Sequence, residues 1–192
     1  MIPPANTCLA ILAAGQSTRF GVEDKLTAML AGRMLGLHVA ATLSGMGWQR
    51  GVVIASRADH ACVPEWQAQG YDILPNPDAA QGLSTSVRLA ALAAQGCGAG
   101  ALLLCLADMP MVSAGHVRAL LAAGDAGAIV ASADAGEPMP PALFGADHFN
   151  RLTGLSGDRG ARALLKGAVL VPLVAGEGVD VDDQESLLRL QA

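Results

Sequence analysis

Six short apolar runs, separated by longer segments of helical period, limit what this chain can fold into. The runs are "CLAILAA" (8–14), "GVVIAS" (51–56), "YDIL" (71–74), "ALLLCLA" (101–107), "GAIVAS" (127–132) and "AVLVPL" (168–173). Most are apolar from end to end, as strands covered on both faces are, rather than alternating as strands with one wet face do. Helical patterns fall near 34–46, 59–69, 83–95, 114–123, 160–167 and 184–191. Strands alternating with helices predict an α/β fold in three Rossmann-like layers around a mostly parallel central sheet. "PALFG" (141–145) is a candidate seventh strand of unread orientation. "ADAGEPMPP" (133–141) carries three prolines and is expected to be a loop at the sheet edge.

The 192 residues suit one domain, and an apolar fraction of 52% supports a substantial core. The net charge is −5 and no basic run occurs, which argues against a nucleic-acid groove. The first apolar run is too short to span a bilayer and no basic region precedes it, so a cytoplasmic protein that avoids membranes is expected. Four cysteines (8, 62, 97 and 105) show no zinc spacing, and Cys8 and Cys105 sit in apolar runs as small buried hydrophobes do. The four histidines have no motif context and are read as structural or solvated.

In open α/β sheets, ligands bind beyond the carboxyl ends of the strands, so the chemistry is sought there. After the first run comes Leu12-Ala13-Ala14-Gly15-Gln16-Ser17-Thr18-Arg19-Phe20-Gly21, followed by Lys25. This is neither G-x-G-x-x-G nor a P-loop, which removes the main support for a nicotinamide-dependent oxidoreductase. A glycine-bearing turn with Arg19 and Lys25 suits an anionic small molecule, because backbone N–H groups and local cations converge on phosphate. Arg88 is a third candidate cation.

After the fourth run, Asp108 in "CLADMP" offers a carboxylate for Mg²⁺, or else a turn aspartate. After the third, Asn76, Gly82, Ser84 and Ser86 either cap the next helix or face a nucleotide, and spacing does not separate the two. In "GVDVDDQESL", Asp182 is favoured over Asp180 as a second metal ligand; Asp182 or Asp183 alternatively serves the N-terminus of the final helix. Asp158 in "SGDRGARALL" is a plausible N-cap and a candidate for shaping an acceptor pocket.

Together these motifs resemble the MobA-like nucleotidyltransferases, in particular the molybdenum cofactor cytidylyltransferase branch. The similarity runs through residues 8–190. It rests on the opening LAAG loop with Ser17, Arg19, Gly21 and Lys25. It rests also on Asn76, Pro77, Gly82, Leu83, Ser86, Val87 and Arg88, on "LADMP", and on "PALFG" with the later "GDRGAR". The resemblance implies one nucleotidyltransferase domain over 1–192, with a nucleotide-binding part at about 1–110 and an acceptor-binding part at about 111–192.

It implies transfer of CMP from CTP to the phosphate of molybdenum-molybdopterin, with release of pyrophosphate. Leu12, Ala13, Ala14, Gly15, Gln16, Ser17, Arg19 and Lys25 would wrap the nucleotide, helped by Asn76, Gly82, Ser84 and Ser86. Arg19, Lys25 and Asp108 would be catalytic, Asp108 and Asp182 would hold Mg²⁺, and Pro141, Asp158 and Arg162 would face the acceptor. Relatives using GTP typically read LAGG, so Ala14 points to CTP. A molybdoenzyme or its chaperone is the implied recipient. A sugar or polyol phosphate acceptor, and a non-catalytic nucleotide-binding accessory role, are the alternatives. The chain departs from the family pattern at Gly32-Arg33-Met34, where a proline is lost. It departs also at Gly36, usually a larger apolar residue, and at Glu137-Pro138-Met139-Pro140, which lacks the usual glycine or basic residue.

Overall fold

Alternating side chains of the buried strands divide themselves between two cores, and this division sets the layers. The computed structural model describes residues 1–15, 20, 24–155 and 163–191. Its strands are β1 (Thr7–Ala13), β2 (Met29–Leu30), β3 (Arg33–Met34), β4 (Arg50–Ala55), β5 (Asp72–Pro75), β6 (Ala101–Leu106), β7 (Ile129–Asp134), β8 (Glu137–Gly145) and β9 (Val169–Pro172). Its helices are α1 (His38–Leu43), α2 (Val63–Ala68), α3 (Leu83–Gly96), α4 (Ala114–Ala123), α5 (Phe149–Thr153) and α6 (Gln184–Gln191). Every residue of β1 is buried. Leu9, Ile11 and Ala13 pack with Val39, Leu43, Trp66, Val117 and Leu120, on the face covered by α1, α2 and α4. Cys8, Ala10 and Leu12 pack with Val87, Ala90, Ala91 and Ala94 of α3 and Phe149 and Leu152 of α5 on the other. Alanines along α3 let that helix lie close to the sheet, which accounts for part of the small-residue bias.

The main sheet runs in the order β5-β4-β1-β6-β8-β7-β9. All strands are parallel except β8, which pairs antiparallel with both β6 and β7. The six apolar runs are all strands, so the expected α/β layers and mostly parallel sheet hold. Among the described residues, no helix is long and apolar enough to cross a membrane. The helix expected over 160–167 falls partly outside the described residues.

The segment 133–141 corrects one expectation. Rather than a loop, it closes a hairpin between β7 and β8, with Ala135 (φ 47°) and Gly136 (φ 86°) as the two turn residues. Two successive positive φ values match the twist of a two-residue hairpin loop, and here an alanine accepts one of them. The prolines survive in β8 because only residues 142–145 pair with β6; the proline-bearing half meets β7 alone. A proline lacks the N–H that a second neighbour would need, so it is tolerated where one side of the strand has none. A register shift between Ala131 and Ser132 takes up Pro140 and Pro141.

A third, smaller core joins Phe20, Leu30 and Leu35 to Val181 and Leu187, bringing the 180s segment back against Phe20 and β2. Val181 N–H also donates to the Asp108 carbonyl at 3.0 Å. The chain end and the end of β6 are thus tied together.

At Gly145 an added Cβ would collide with the carbonyl oxygens of Ala126 and Asp125, which are backbone and have no rotamer to change. Gly145→Ala is expected to cost about 2–3 kcal/mol, read as a lower midpoint in urea. Gly45→Ala, whose Cβ meets nothing within 4 Å, should stay within about 0.5 kcal/mol of the parent.

Candidate active site

Two adjacent parallel strands, β1 and β6, end side by side, and the segments leaving them face a common cleft. The Ala107 N–H donates to the Leu12 carbonyl at 3.0 Å, which fixes the two exits against each other. The cleft holds about 380 Å³; its floor is Leu12 to Gly15, and one wall is Ala79, Gly82, Leu83 and Ser86 at the N-terminus of α3. Lys25, Asp108 and Asp182 form the remaining polar rim.

Charge is concentrated at that rim. Lys25 Nζ lies 2.5 Å from Asp108 Oδ2 and 3.2 Å from Asp182 Oδ1, with the lysine only 7% exposed. Burial by itself would lower the Lys25 pKa, but the Asp108 charge and the hydrogen bonds that the ammonium donates to Asp108 and Asp182 outweigh it and raise the value. Asp180 joins the group, and one carboxylate oxygen from each of Asp108, Asp180 and Asp182 lies within 4.8 Å of the others. Burial first, then the charges of Asp108 and Asp182, push the Asp180 carboxyl up to about 7, against the pull of Lys25.

These residues suit a divalent cation. Asp108 Oδ1 is buried and meets no hydrogen-bond partner among the described residues, and a buried carboxylate oxygen left so is costly without a positive ligand. Three hard oxygen donors around one point match the preference of Mg²⁺ or Mn²⁺.

Most of the residues singled out in the sequence meet here. Leu12, Ala13, Ala14, Gly15, Lys25, Gly82, Ser86, Asp108 and Asp182 all line the cleft. Asn76 does not reach the lining. It is buried behind α3, its Nδ2 donating at 2.9 Å to both Thr85 Oγ1 and Ser86 Oγ while its Oδ1 accepts from Asp78 N–H. It braces the helix start that presents Ser86. Ser84 is buried but off the lining, and Arg88 is half-buried and touches neither cavity. Asp183 caps α6, its Oδ1 accepting from Ser186 N–H at 2.8 Å, so that role falls to it and not to Asp182. Gln16, Ser17, Arg19, Asp158 and Arg162 lie outside the described residues.

A second cavity of about 500 Å³ adjoins the first, sharing Leu12, Leu83 and Leu106. Val87, Leu104, Phe144, Leu164 and Leu165 make it apolar, and Glu137 to Pro140 of β8 border it. Pro141 is not on its lining: the Pro141 carbonyl accepts from Ser132 Oγ, 2.7 Å away, and its neighbours Pro140 and Ala142 face the space instead. The bulge in β7 and β8 turns that residue inward.

Sequence reasoning missed the support beneath Lys25. Asp24 Oδ1 accepts from Leu26 N–H at 3.0 Å and Oδ2 sits 2.8 Å from His60 Nε2. An aspartate directly before the lysine was the available signal for the cap. His60 is 36 residues away, and nothing local in sequence announces it.

The family profile of the MobA-like NTP transferase domain matches residues 9–173. The purine catabolism protein PucB of Bacillus subtilis is 35% identical over 190 residues, covering 91% of this chain and 90% of PucB. Among solved structures, a nucleotidyl transferase from Methanothermobacter (Mth528) superposes with a TM-score of 0.78 at 22% identity, covering 96% of this chain and 95% of that one. The manganese complex of Rv0371C from Mycobacterium tuberculosis gives 0.68 at 20% identity, covering 97% and 98%.

Mn²⁺ or Mg²⁺ is expected to raise the thermal unfolding temperature of the native chain, since a ligand at a hundred times its Kd adds about 2.7 kcal/mol. Asp108→Asn should abolish the shift and Asp182→Asn should weaken it, both read by melting in an ion titration without nucleotide. A wild-type transition indifferent to the ion would remove the metal role from these carboxylates.

Proposed function

The chain belongs to the MobA-like NTP transferase domain family, and on that premise we propose that it moves CMP from CTP onto the phosphate of molybdenum-bearing molybdopterin, in the cytoplasm. The observation that carries this reading is the Lys25–Asp108–Asp182 group set between the opening loop and the start of α3. Leu12 to Gly15 and the residues that open α3, Ser86 among them, line a space suited to a nucleotide's phosphates, since a helix N-terminus favours anions.

The chemistry is governed by charge. An acceptor phosphate oxygen attacks the α-phosphorus; one P–O bond forms, the bond to the bridging oxygen breaks, and pyrophosphate leaves with its electron pair. The attacking oxygen is already ionised at neutral pH, so no residue is needed as a base. Lys25 meets the negative charge that grows towards the leaving group, in a site whose partners hold the ammonium in place before reaction. Arg19, on the same loop, would add a second cation. A divalent ion, Mg²⁺ by preference, would be held by Asp108 with Asp182 or Asp180 and would supply Lewis-acid stabilisation of the phosphates.

Ala14 lines the cleft and is nearly closed to solvent. Its methyl occupies space that a larger purine would claim, which favours CTP. The second cavity, mostly apolar with Glu137 and Asp180 on its lining, supports a ring-bearing acceptor over a sugar or polyol phosphate, because most of its surface offers a polyhydroxyl chain no partner. The Bacillus relative is named for purine catabolism, which suits a protein that serves a molybdoenzyme or its chaperone.

The test is pyrophosphate release with Mg²⁺, molybdenum-bearing molybdopterin and CTP, GTP or ATP in separate reactions. CTP alone is expected to support release, and Lys25→Met to lower kcat by about 10²–10³-fold. Release with GTP would overturn the base assignment; silence with all three despite CTP binding would overturn the acceptor.

A further inference from the structure

We infer that His60 is a positioning residue for Lys25: through Asp24 it locks the turn from which the ammonium reaches the cleft. For the reaction this rests on the nucleotidyl-transfer reading; for the turn it rests on geometry.

Lys25 begins a single 3-10 turn, Lys25–Thr27, and one such turn has little stiffness of its own. It is held from outside at three points. Asp24 is its N-cap, accepting from Leu26 N–H through Oδ1, while its own carbonyl accepts from Thr27 N–H at 2.9 Å and Thr27 Oγ1 at 2.8 Å. Cys62 Sγ donates to the Leu26 carbonyl at 3.6 Å. Gly36 closes the third side, since a methyl there would sit 3.1 Å from Leu26 Cβ and 3.4 Å from Cys62 Sγ. The glycine that departs from the family pattern thus leaves room where the strap carrying His60 and Cys62 meets this turn.

His60 is the fixed point of that strap. It is 2% exposed, and its ring stacks on Trp66 with centroids 5.3 Å apart and planes 15° from parallel. Trp66 in turn donates from Nε1 to the Gly36 carbonyl at 3.0 Å. His60 Nδ1 accepts from Cys62 N–H at 3.1 Å, which leaves the proton on Nε2 and gives it to Asp24 Oδ2 at 2.8 Å. That hydrogen bond is the first cause holding the Asp24 carboxyl below its ordinary range, ahead of the Leu26 N–H and against the opposing effect of burial. A core histidine with only a structural task could bond any carbonyl. This one gives its N–H to the carboxylate that caps the lysine's turn.

Asp24 keeps a solvent-facing side, its side chain being 41% exposed. Water can therefore replace the lost donor, and removal of His60 should shift the turn more than it unfolds the chain.

His60→Ala and His60→Gln test this, because a glutamine amide can offer an N–H where Nε2 stood. The readouts are kcat and KM for Mg–CTP, and acylation of Lys25 by an amine reagent located by mass spectrometry. Lys166, the chain's other lysine, is exposed and serves as the internal reference. In the native chain Lys25 should acylate far more slowly than Lys166. His60→Ala is expected to bring the two rates together and to lower kcat by about tenfold to hundredfold, with less change in KM, as a misplaced catalytic group does. His60→Gln should restore both. Turnover and Lys25 labelling unchanged in His60→Ala would overturn the inference, as would a glutamine variant no better than alanine. If no nucleotide turns over in the parent while the labelling pattern and its rescue hold, the transferase reading falls and the lock on Lys25 stands.

Discussion

One ammonium held among three carboxylates is the interaction on which this architecture depends. Lys25 bonds Asp108 and Asp182 while Asp180 stands beside them, and the three acids come from two distant parts of the chain. With all four groups ionised the cluster carries two negative charges in excess, and charge at such distances is costly in a partly buried site. The surroundings read as the means of holding it together. β6 delivers Asp108, the small core around Val181 returns the 180s segment, and the Val181–Asp108 backbone bond sets their spacing. The capped turn supplies the lysine.

Sheet topology explains why these parts meet where they do. From β1 the chain moves outward through β4 to β5, then crosses back to β6 on the opposite side of β1. The strand order thus reverses between β1 and β6, and the cleft lies beyond the carboxyl ends of these two adjacent strands, where ligands bind at such a switch point of a parallel sheet. Both strands must end together for the crevice to have a floor, and the register does this by pairing Leu12 with Leu106. The antiparallel β8 then carries the sheet past β6 and raises its proline-bearing hairpin beside the second cavity.

The buried parallel strands were legible because burial on both faces leaves a sequence mark: nearly every position is apolar. β8 left no such mark. Its prolines speak locally against a strand, and only the absence of a neighbour on one side makes them acceptable, which is a fact about topology. The cleft was legible wherever a lining residue follows within two positions of a strand, as Gly15 and Asp108 do. Asp180 was harder to weigh against Asp182, since two acids two residues apart differ only in how the loop turns. His60 was not legible at all: its partner is 36 residues earlier, and a single histidine in a polar segment looks solvated. Asn76 was singled out with two readings left open, because sequence spacing does not distinguish a residue facing a ligand from one bracing the helix that does; its bonds to Thr85 and Ser86 add the bracing of α3.

The same charge cluster constrains how an anionic substrate can enter. The chain is acidic overall and holds only two lysines. The one in the cleft already shares its charge between two carboxylates, so Lys25 by itself leaves the rim negative. A bare triphosphate approaching Asp108, Asp180 and Asp182 would meet repulsion at close range. Backbone N–H groups at the loop and at the start of α3 offset part of this, yet they are partial charges that fade within a turn of the helix. Entry becomes favourable when the triphosphate arrives with a divalent cation that the carboxylates can bind, for then the acids attract what they would otherwise exclude. On the proposed reading, the excess of acid over base at this rim would act as a filter for metal-complexed phosphate, and Lys25 would be left to answer the charge that develops as pyrophosphate departs.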